Sequence, residues 1–414
     1  MSSINIISYL RLSRPCLLSL KAPLQSNFSK IHQVHRYFSN SHARHFNFTK
    51  QHLQNEVFPD WVPSKFSANH FFDITSLRSL IHIAGPDSAK FINGLCTSLL
   101  TSSTNAKQEE ADANSSSSTD GFYTSFLTPQ GRVLFDAFIY KPLESSESEN
   151  GVPELLLDVS SEMKEQALSH LARYKLLSKV KIQDVSEQFS IVNLAGSEIF
   201  TQLDGPTENK SLTAAQAKKF GASYASWDHR FRSEELGIRL IIPTNNAVPK
   251  ETYSNAAELP CSDYILKMTC LGIGETPRGI VSLVSLPMEC NLELLNGIHF
   301  RKGCYVGQEL TIRTHHKGVI RKRLVPAKLI TNEKCATQLS GADLYLPAEN
   351  PEVKRKPIGK VTWIFGHHIL ALMRLESLPK PGSKQLVCEF KFDGTVHQIT
   401  LEFSFPPWIR PMIS

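Results

Sequence analysis

The chain has 414 residues, enough for two domains, and its hydrophobic fraction of 41% is ordinary for a globular protein. The formal net charge is +6, but the segment from Met1 to Phe38 holds five lysines and arginines and no acid, which leaves about +1 for the rest. A nearly neutral body argues against a nucleic-acid-binding protein. The sequence contains no run of about 18 apolar residues, so no membrane span is predicted.

The N-terminal segment, residues 1–38, is predicted to be a mitochondrial transit peptide. It is rich in serine, leucine and arginine, lacks acids, and has no compact apolar block of the kind that marks a secretory signal. RYFS at Arg36–Ser39 resembles an arginine-containing cleavage signal of matrix processing. We therefore expect cleavage near Ser39 and a location in the mitochondrial matrix; the alternative is a basic tail that is retained.

Folded sequence is predicted to begin near residue 58. GPDSAKFINGLCTSLL predicts a helix that Asp87 or Ser88 caps, and the polar stretch at about 100–119 predicts a solvated, disordered insert. GFYTSFLTPQGRVLFDAFIY predicts a β-hairpin that turns at Thr128–Gly131. ELLLDV then predicts a strand, and EMKEQALSHLARYKLL predicts an amphipathic helix.

Strands and helices continue to mix without a regular βαβ period, so the predicted fold class is α+β. SKVKIQDV, FSIVNLAG and LGIRLIIP predict strands, Ala214–Lys219 a polar helix, and CSDYILKMTCLGIG a short helix ended by glycine. After Pro326, short strand-like runs broken by proline, glycine or polar clusters predict a small all-β domain, a barrel or a sandwich. The predicted domains are therefore 58–325 and 326–414.

Among eight cysteines, which form no CxxC pair and no set with zinc-ligand spacing, Cys304 has unusual neighbours. It lies in RKGCYVGQEL, between Gly303 and Gly307, which free the backbone. In an extended segment Lys302 would project to the same side as Cys304, and an ammonium beside a thiol favours the nucleophilic, metal-binding thiolate. Glu309 would oppose this if it were close. The alternative is a buried structural cysteine.

The stretch FRKGCYVGQELTIRTHHKG resembles the signature of the folate-binding-like iron–sulfur assembly factors, relatives of the aminomethyltransferase (T-protein) of glycine cleavage. IAGPDSAKFINGLCT, FLTPQGRVLFDAFIY and LARYKLLSKVKI resemble further segments of the family, so the similarity runs with gaps from about Phe72 to the C-terminal end. The pattern K-G-C-Y-x-G-Q-E is matched by Lys302, Gly303, Cys304, Tyr305, Gly307, Gln308 and Glu309.

This resemblance implies a ring-like α+β folate-binding domain with a central cavity, followed by a C-terminal β-barrel. It implies a mitochondrial factor for late maturation of [4Fe-4S] proteins, with A-type carriers and [4Fe-4S] client enzymes as partners. Cys304, Lys302 and Glu309 are the expected working residues, and Gly303, Tyr305, Gly307 and Gln308 are expected to bind the cofactor, which the family implies is tetrahydrofolate. A [2Fe-2S] cluster needs about four ligands. A transient cluster on Cys304 would therefore be shared with a carrier.

Two other functions remain open from the sequence: a tetrahydrofolate-dependent aminomethyl transferase and a plain thiol enzyme with a Cys–His pair. The aminomethyltransferases hold the pterin with an Arg-x-Glu before a glycine, where this chain has Met268-Thr269-Cys270 before Leu271-Gly272. Asp136 lies near the place where those enzymes have an acid, although a lone strand aspartate is more often solvated.

Two features next to the motif also have two interpretations. His315 and His316 are either further metal ligands or solvated side chains. The basic cluster of Lys317, Arg321, Lys322 and Arg323 is either a solvated face or a surface for an acidic partner or a folate polyglutamate tail.

Overall fold

The computed structural model describes residues 62–100, 121–143, 153–203, 214–231, 233–246, 255–330, 337–347, 355–379 and 384–409. The predicted transit peptide lies outside the described residues, as does the predicted polar insert apart from Leu100.

Ten strands lie in the first part of the described chain, before residue 260. Runs rich in β-branched and aromatic residues form them, because these side chains pack well on a pleated surface. In chain order they are β1 (His70–Asp73), β2 (Arg78–Ala84), β3 (Gly121–Leu127), β4 (Val133–Tyr140), β5 (Glu154–Ser160), β6 (Lys181–Asp184), β7 (Phe189–Ala195), β8 (Tyr224–Trp227), β9 (Ile238–Pro243) and β10 (Ala257–Leu259).

Helices lie between and after these strands. In the described residues, none of them has the length and apolarity that a bilayer span requires. They are α1 (Ser88–Asn93), α2 (Lys164–Lys175), α3 (Ser197–Gln202), α4 (Ala214–Lys218), α5 (Ser233–Leu236), α6 (Cys261–Cys270) and α7 (Gln308–Lys317).

The first helix is shorter than the sequence predicts. It begins after Asp87 but ends before Gly94, and the rest of the predicted helix, up to Leu100, is irregular. The carboxylate of Asp87 does not cap the helix; it accepts a hydrogen bond from the amide of Lys179 at 2.7 Å instead. The chain therefore leaves α1 early and enters a loop whose carbonyls accept hydrogen bonds from the amides of His299 and Val306.

The α+β part contains two five-stranded sheets, with the strand orders β3-β4-β5-β2-β6 and β10-β1-β7-β9-β8. The predicted hairpin is confirmed: β3 pairs with β4 in antiparallel register, and Ser125 lies opposite Asp136. Its turn is closed by the amide of Thr128, which donates to the carbonyl of Arg132 at 2.8 Å. In the described residues β1 and β10 pair in parallel and the other paired strands of these sheets are antiparallel, as the predicted α+β class requires.

The C-terminal strands form a barrel, which decides between the two predicted all-β architectures. The sheet order is β12-β13-β14-β11-β16-β15. Its two outer strands are joined where Tyr345 and Glu389 exchange both backbone hydrogen bonds, each 2.8 Å long. The strands are β11 (Lys322–Leu329), β12 (Asp343–Leu344), β13 (Gly359–Phe365), β14 (His368–Arg374), β15 (Gln385–Phe392) and β16 (Thr395–Phe403).

A buried charge network joins the two sheets of the α+β part. Asp158 on β5 accepts a hydrogen bond from Nε of Arg78 at 2.6 Å, one from Nη2 of Arg239 on β9 at 2.7 Å, and one from the Tyr140 hydroxyl at 3.0 Å. Burial by itself would raise the pKa of Asp158, but the two guanidinium groups outweigh it and hold that pKa below its usual range. Asp158 is therefore a buried anion that depends on its two arginines.

A second part of the network is centred on Arg230. Its guanidinium binds Asp228 through Nη2 at 2.8 Å and Glu275 through Nη1 at 2.6 Å, and it lies 4.8 Å from the ring centroid of Phe138. Burial would raise the pKa of Glu275, but Arg230 and Arg78 hold it well below its usual value. The centre of this domain is thus held by ion pairs as well as by apolar packing.

Candidate functional site

The structure exposes the thiol of Cys304, on the loop that precedes α7. The other cysteines of the described ranges differ: Cys261 is half-buried, and Cys96, Cys270, Cys290 and Cys388 are buried. The alternative of a buried structural cysteine at position 304 is therefore wrong. In the part of the chain that the structure describes, no three His, Cys, Asp or Glu side chains converge on a possible metal position.

The cysteine loop, residues 301–307, is held by the segment that follows α1. The amide of Val306 donates to the carbonyl of Gly94 at 3.0 Å, and the amide of His299 donates to the carbonyl of Thr97 at 2.9 Å. The side chain of Val306 packs on the apolar cluster that contains Phe91. The early end of α1 thus provides the backbone acceptors for the cysteine loop, about 200 residues later in sequence.

Lys302 does not act on Cys304 as the sequence analysis expects. Its ammonium donates to the carbonyls of Cys96 and Ser98, both at 2.6 Å, and lies 3.8 Å from Sγ of Cys96. These contacts engage all three of its N–H donors. Burial lowers the pKa of Lys302. The expected pairing with the Cys304 thiol is therefore replaced by an anchoring role, in which Lys302 ties the cysteine loop to the segment after α1.

Gly307 is required where the cysteine loop meets the hairpin turn. Its φ is +80°, and a Cβ there would lie 2.3 Å from the carbonyl oxygen of Thr128. Gly131 in the turn also has a positive φ, and a Cβ on it would lie 3.0 Å from the carbonyl oxygen of Gly307. Gly303 differs, because a Cβ there would have no neighbour within 4 Å and its φ is not positive.

The two glycines give a matched pair of substitutions. Gly307→Ala is expected to lower the free energy of unfolding by at least about 2 kcal/mol, because a left-handed alanine is strained and its Cβ meets backbone. Gly303→Ala is expected to stay within about 0.5 kcal/mol of wild type. Urea unfolding of both variants is the measurement. Equal losses would show that the backbone contact at Gly307 does not hold the loop.

The remaining motif residues divide into internal and exposed ones. Gln308 accepts a hydrogen bond from the amide of Tyr305 at 2.9 Å through its side-chain oxygen. Tyr305 is buried, which raises its pKa to about 12. Glu309 is exposed in the first turn of α7 and lies 3.7 Å from Arg313. Tyr305, Gly307 and Gln308 therefore shape the loop, while Cys304 and Glu309 reach solvent.

The histidines and the basic cluster occupy the C-terminal end of α7 and the start of β11. The ring of His315 stacks on Phe300 with centroids 3.7 Å apart, and His316 follows at 5.0 Å from His315. Arg323 does not belong to the exposed cluster: it is buried, and Nη1 donates to the carbonyl of Met288 at 2.6 Å. The basic surface therefore lacks one of its four predicted members.

The acid of the hairpin, Asp136, is buried rather than solvated. Its carboxylate accepts hydrogen bonds from the amide of Thr276 at 2.6 Å and from the Tyr123 hydroxyl at 3.0 Å. Burial raises the pKa of Asp136, and the nearby carboxylate of Glu275 raises it further. Asp136 is thus part of the interior next to the charge network.

The residues at the expected pterin position do not fit a pterin held by an arginine and a glutamate. Met268, Thr269 and Cys270 are buried in α6 and carry neither group. Arg230 does reach Sδ of Met268, at 3.6 Å, but its other donors bind Asp228, Glu275 and Tyr264. Tetrahydrofolate binding stays a prediction, and the mechanism proposed below has no step that uses it.

Comparison with known proteins bears on both parts of the chain. Residues 321–411 match the family model described as CAF17, C-terminal beta-barrel domain. The chain superposes on the crystal structure of the glycine cleavage system aminomethyltransferase T from Bartonella henselae with a TM-score of 0.53 and 13% identity, covering 84% of this chain and 89% of that one. The predicted aminomethyltransferase-like α+β fold with a C-terminal β-barrel is confirmed.

Curated relatives share one name, "Iron-sulfur cluster assembly factor IBA57 homolog, mitochondrial". The protein from Aspergillus oryzae is 34% identical over 320 residues, which cover 73% of this chain and 69% of the relative. The protein from Aspergillus fumigatus is 31% identical over 415 residues, covering 90% of this chain and 89% of the relative. The resemblance drawn from the cysteine motif is confirmed, and the chain belongs to the family of mitochondrial IBA57 iron–sulfur cluster assembly factors.

Proposed function

We propose that this protein is a mitochondrial matrix factor for late maturation of [4Fe-4S] proteins. In this proposal the Cys304 thiolate shares or transfers a cluster with an A-type carrier. The observation that carries the proposal is the exposed thiol of Cys304 on an anchored loop, in a chain whose relatives are named iron–sulfur assembly factors. The basic, acid-free N-terminal segment supports the mitochondrial address.

The chemistry is ligand exchange at iron. Cys304 loses its proton to solvent, and its thiolate donates a sulfur lone pair to one iron of a [2Fe-2S] cluster on the carrier. It displaces one carrier thiolate from that iron, and the displaced thiolate takes up a proton. Such a cluster takes about four ligands. Since the other described cysteines are buried or only half exposed, thiolates of the carrier supply the rest. Thiolates of the carrier or of a client then replace Cys304, which regains a proton; no electron is transferred in either step.

The expected product is a cluster on another protein, so no small molecule is turned over. The exposure of Cys304 suits this role, because both protein partners must reach the same iron. Glu309 and Arg313 also lie exposed on the first turns of α7 and are positioned to contact whatever protein approaches Cys304.

Anaerobic reconstitution tests the proposal. The chain, an A-type carrier, or an equimolar mixture is incubated with ferrous iron, a ferric source and sulfide, and the products are separated by size. We expect an iron–sulfur charge-transfer spectrum that co-elutes with a complex of both proteins. A mixture whose spectrum and elution equal those of the separate proteins would refute the proposal. Transfer of a one-carbon unit to tetrahydrofolate by the same preparation would favour the transferase alternative.

A further inference from the structure

The turn after α2 presents two adjacent leucines to solvent. Leu176 is 83% exposed and Leu177 is 96% exposed. Leu176 has a φ of +42° and a ψ of −116°, a backbone conformation that residues other than glycine rarely adopt. Single exposed apolar residues are ordinary, but a strained backbone that keeps two neighbouring leucines in water is not. We name residues 173–181, which include both leucines, the leucine tip.

The leucine tip is also strongly basic. Exposed side chains of Arg173, Lys175, Lys179 and Lys181 flank the two leucines. Within the described residues none of these four cations forms an ion pair at up to 4.0 Å. Two acids lie close by. Asp87 accepts the amide of Lys179, and Asp184 pairs with Lys164 at 2.9 Å.

The backbone of the tip is fixed. The amide of Ser178 donates to the carbonyl of Lys175 at 2.8 Å, the amide of Lys179 is bound by Asp87, and Val180 is buried beneath the turn. The two leucines are therefore held outward by a defined turn and do not depend on a flexible loop for their exposure.

We propose that the leucine tip binds the surface of an anionic phospholipid bilayer. Leu176 and Leu177 enter the headgroup region, while the four cations pair with lipid phosphates. The two leucines match the apolar acyl layer of such a bilayer, and the cations on either side of them match its anionic headgroup layer. Nucleic acid offers the anionic layer without an apolar phase for the leucines, and the tip has no aromatic pair for stacking bases.

The leucine tip and the cysteine loop contact opposite ends of α1. Asp87, which binds the tip, precedes α1, and Gly94, which binds Val306, follows it. A six-residue helix about 9 Å long therefore separates the two sites. The proposal does not depend on cluster transfer and can fail or succeed independently of it.

An introduced indole tests the tip directly. Full-length Leu177→Trp is mixed with vesicles of phosphatidylcholine, or of phosphatidylcholine and phosphatidylglycerol in equal parts, with and without brominated acyl chains. The signal of wild type, which has four tryptophans, is subtracted. We expect a blue shift and bromine quenching with anionic vesicles only. Because quenching reports on position 177, binding through the basic N-terminal segment alone gives no signal and overturns the proposal.

The matched control is Leu283→Trp. Leu283 is also an exposed leucine, at 55%, with a positive φ of +66°, and the next residue, Val284, is exposed as well. Arg132 contacts this turn by donating to the carbonyl of Val284, whereas four exposed cations flank the leucines of the tip. Equal quenching at both positions would indicate non-specific adsorption and would refute the proposal. So would equal quenching by neutral vesicles.

Charge removal gives the second measurement. Lys175→Gln and Lys179→Gln in the Leu177→Trp background are each expected to lower the vesicle partition coefficient about fivefold. Unchanged partition would refute the role of the cations. Soluble polyglutamate distinguishes an acidic protein partner: if it shifts the indole emission while anionic vesicles do not, the tip is a protein-binding surface and the lipid proposal is wrong.

Discussion

Cys304→Ala is expected to abolish the iron–sulfur cluster shared with an A-type carrier. The variant removes the one described cysteine that is exposed, and the remaining described cysteines are buried or half-buried. Because the cysteine loop is tied by backbone bonds and by Lys302, no other sulfur is expected to move into its place. The measurement is the charge-transfer absorbance that co-elutes with the two-protein complex after anaerobic reconstitution, which should fall to the level of the carrier alone.

The matched control is Cys261→Ser, at the start of α6. Cys261 is the next most accessible described cysteine, and its sulfur lies 4.0 Å from Oγ of Ser76. This variant should assemble as much shared cluster as wild type. A Cys304→Ala variant that keeps the spectrum, or a Cys261→Ser variant that loses it, would mean that Cys304 is not the bridging ligand.

Asp158→Ala is expected to destabilise the fold by at least about 3–5 kcal/mol, because removing one partner of a buried ion pair leaves uncompensated charge. Here Arg239 would lose its carboxylate, and Arg78 would keep only Glu275, at 3.6 Å. Both arginines lie at 1% side-chain exposure or less, so water does not replace the lost carboxylate. Urea unfolding followed by circular dichroism measures the loss, and soluble expression gives a first indication.

Asp184→Ala is the control for that substitution. Asp184 is an aspartate of β6, in the same sheet as β5 but separated from it by β2, and it pairs with Lys164 at 2.9 Å. Both side chains are about one third exposed. Ion pairs of this kind contribute about 0–1 kcal/mol. Similar losses for the two variants would show that the buried network contributes no more than a surface pair.

The pH dependence of the free energy of unfolding is an independent test of the contribution of Asp158. The native pKa of Asp158 lies below its unfolded value, so its contribution to stability is present above the unfolded pKa and is lost as the pH falls toward the native one. As the pH falls below about 5, the free energy of unfolding of wild type should therefore decrease by more than that of Asp158→Ala.

The sequence was a good guide wherever local chemistry decides structure. Runs rich in β-branched and aromatic residues on both sides of Thr128-Pro129-Gln130-Gly131 predict the hairpin, and the structure contains it. The short runs after Pro326 predict an all-β domain, and only pairing across the sheet ends, at Tyr345 and Glu389, decides that it is a barrel. The family motif located the exposed thiol, and the glycine at 307 proved to be required by its backbone.

Contacts between distant segments were not predictable in the same way. Lys302 was expected to face the neighbouring thiol, but its acceptors are carbonyls about 200 residues away in sequence. The arginines of the charge network had a signal that was available: Arg78 and Arg239 interrupt apolar strand runs. A charge in such a run predicts a buried partner, but the identity of the partner depends on how two sheets pack, which one sequence does not specify.

The anchoring of Lys302 bears on the proposed transfer of an iron–sulfur cluster. Many small metal sites are shapeless until the ion arrives, so that releasing the ion unfolds them. Here carbonyl acceptors of Cys96 and Ser98 already hold the loop through Lys302. Because these contacts lie within the protein itself, the loop that carries Cys304 does not require a metal ion to hold its shape, and the proposed release of a cluster does not require the loop to unfold.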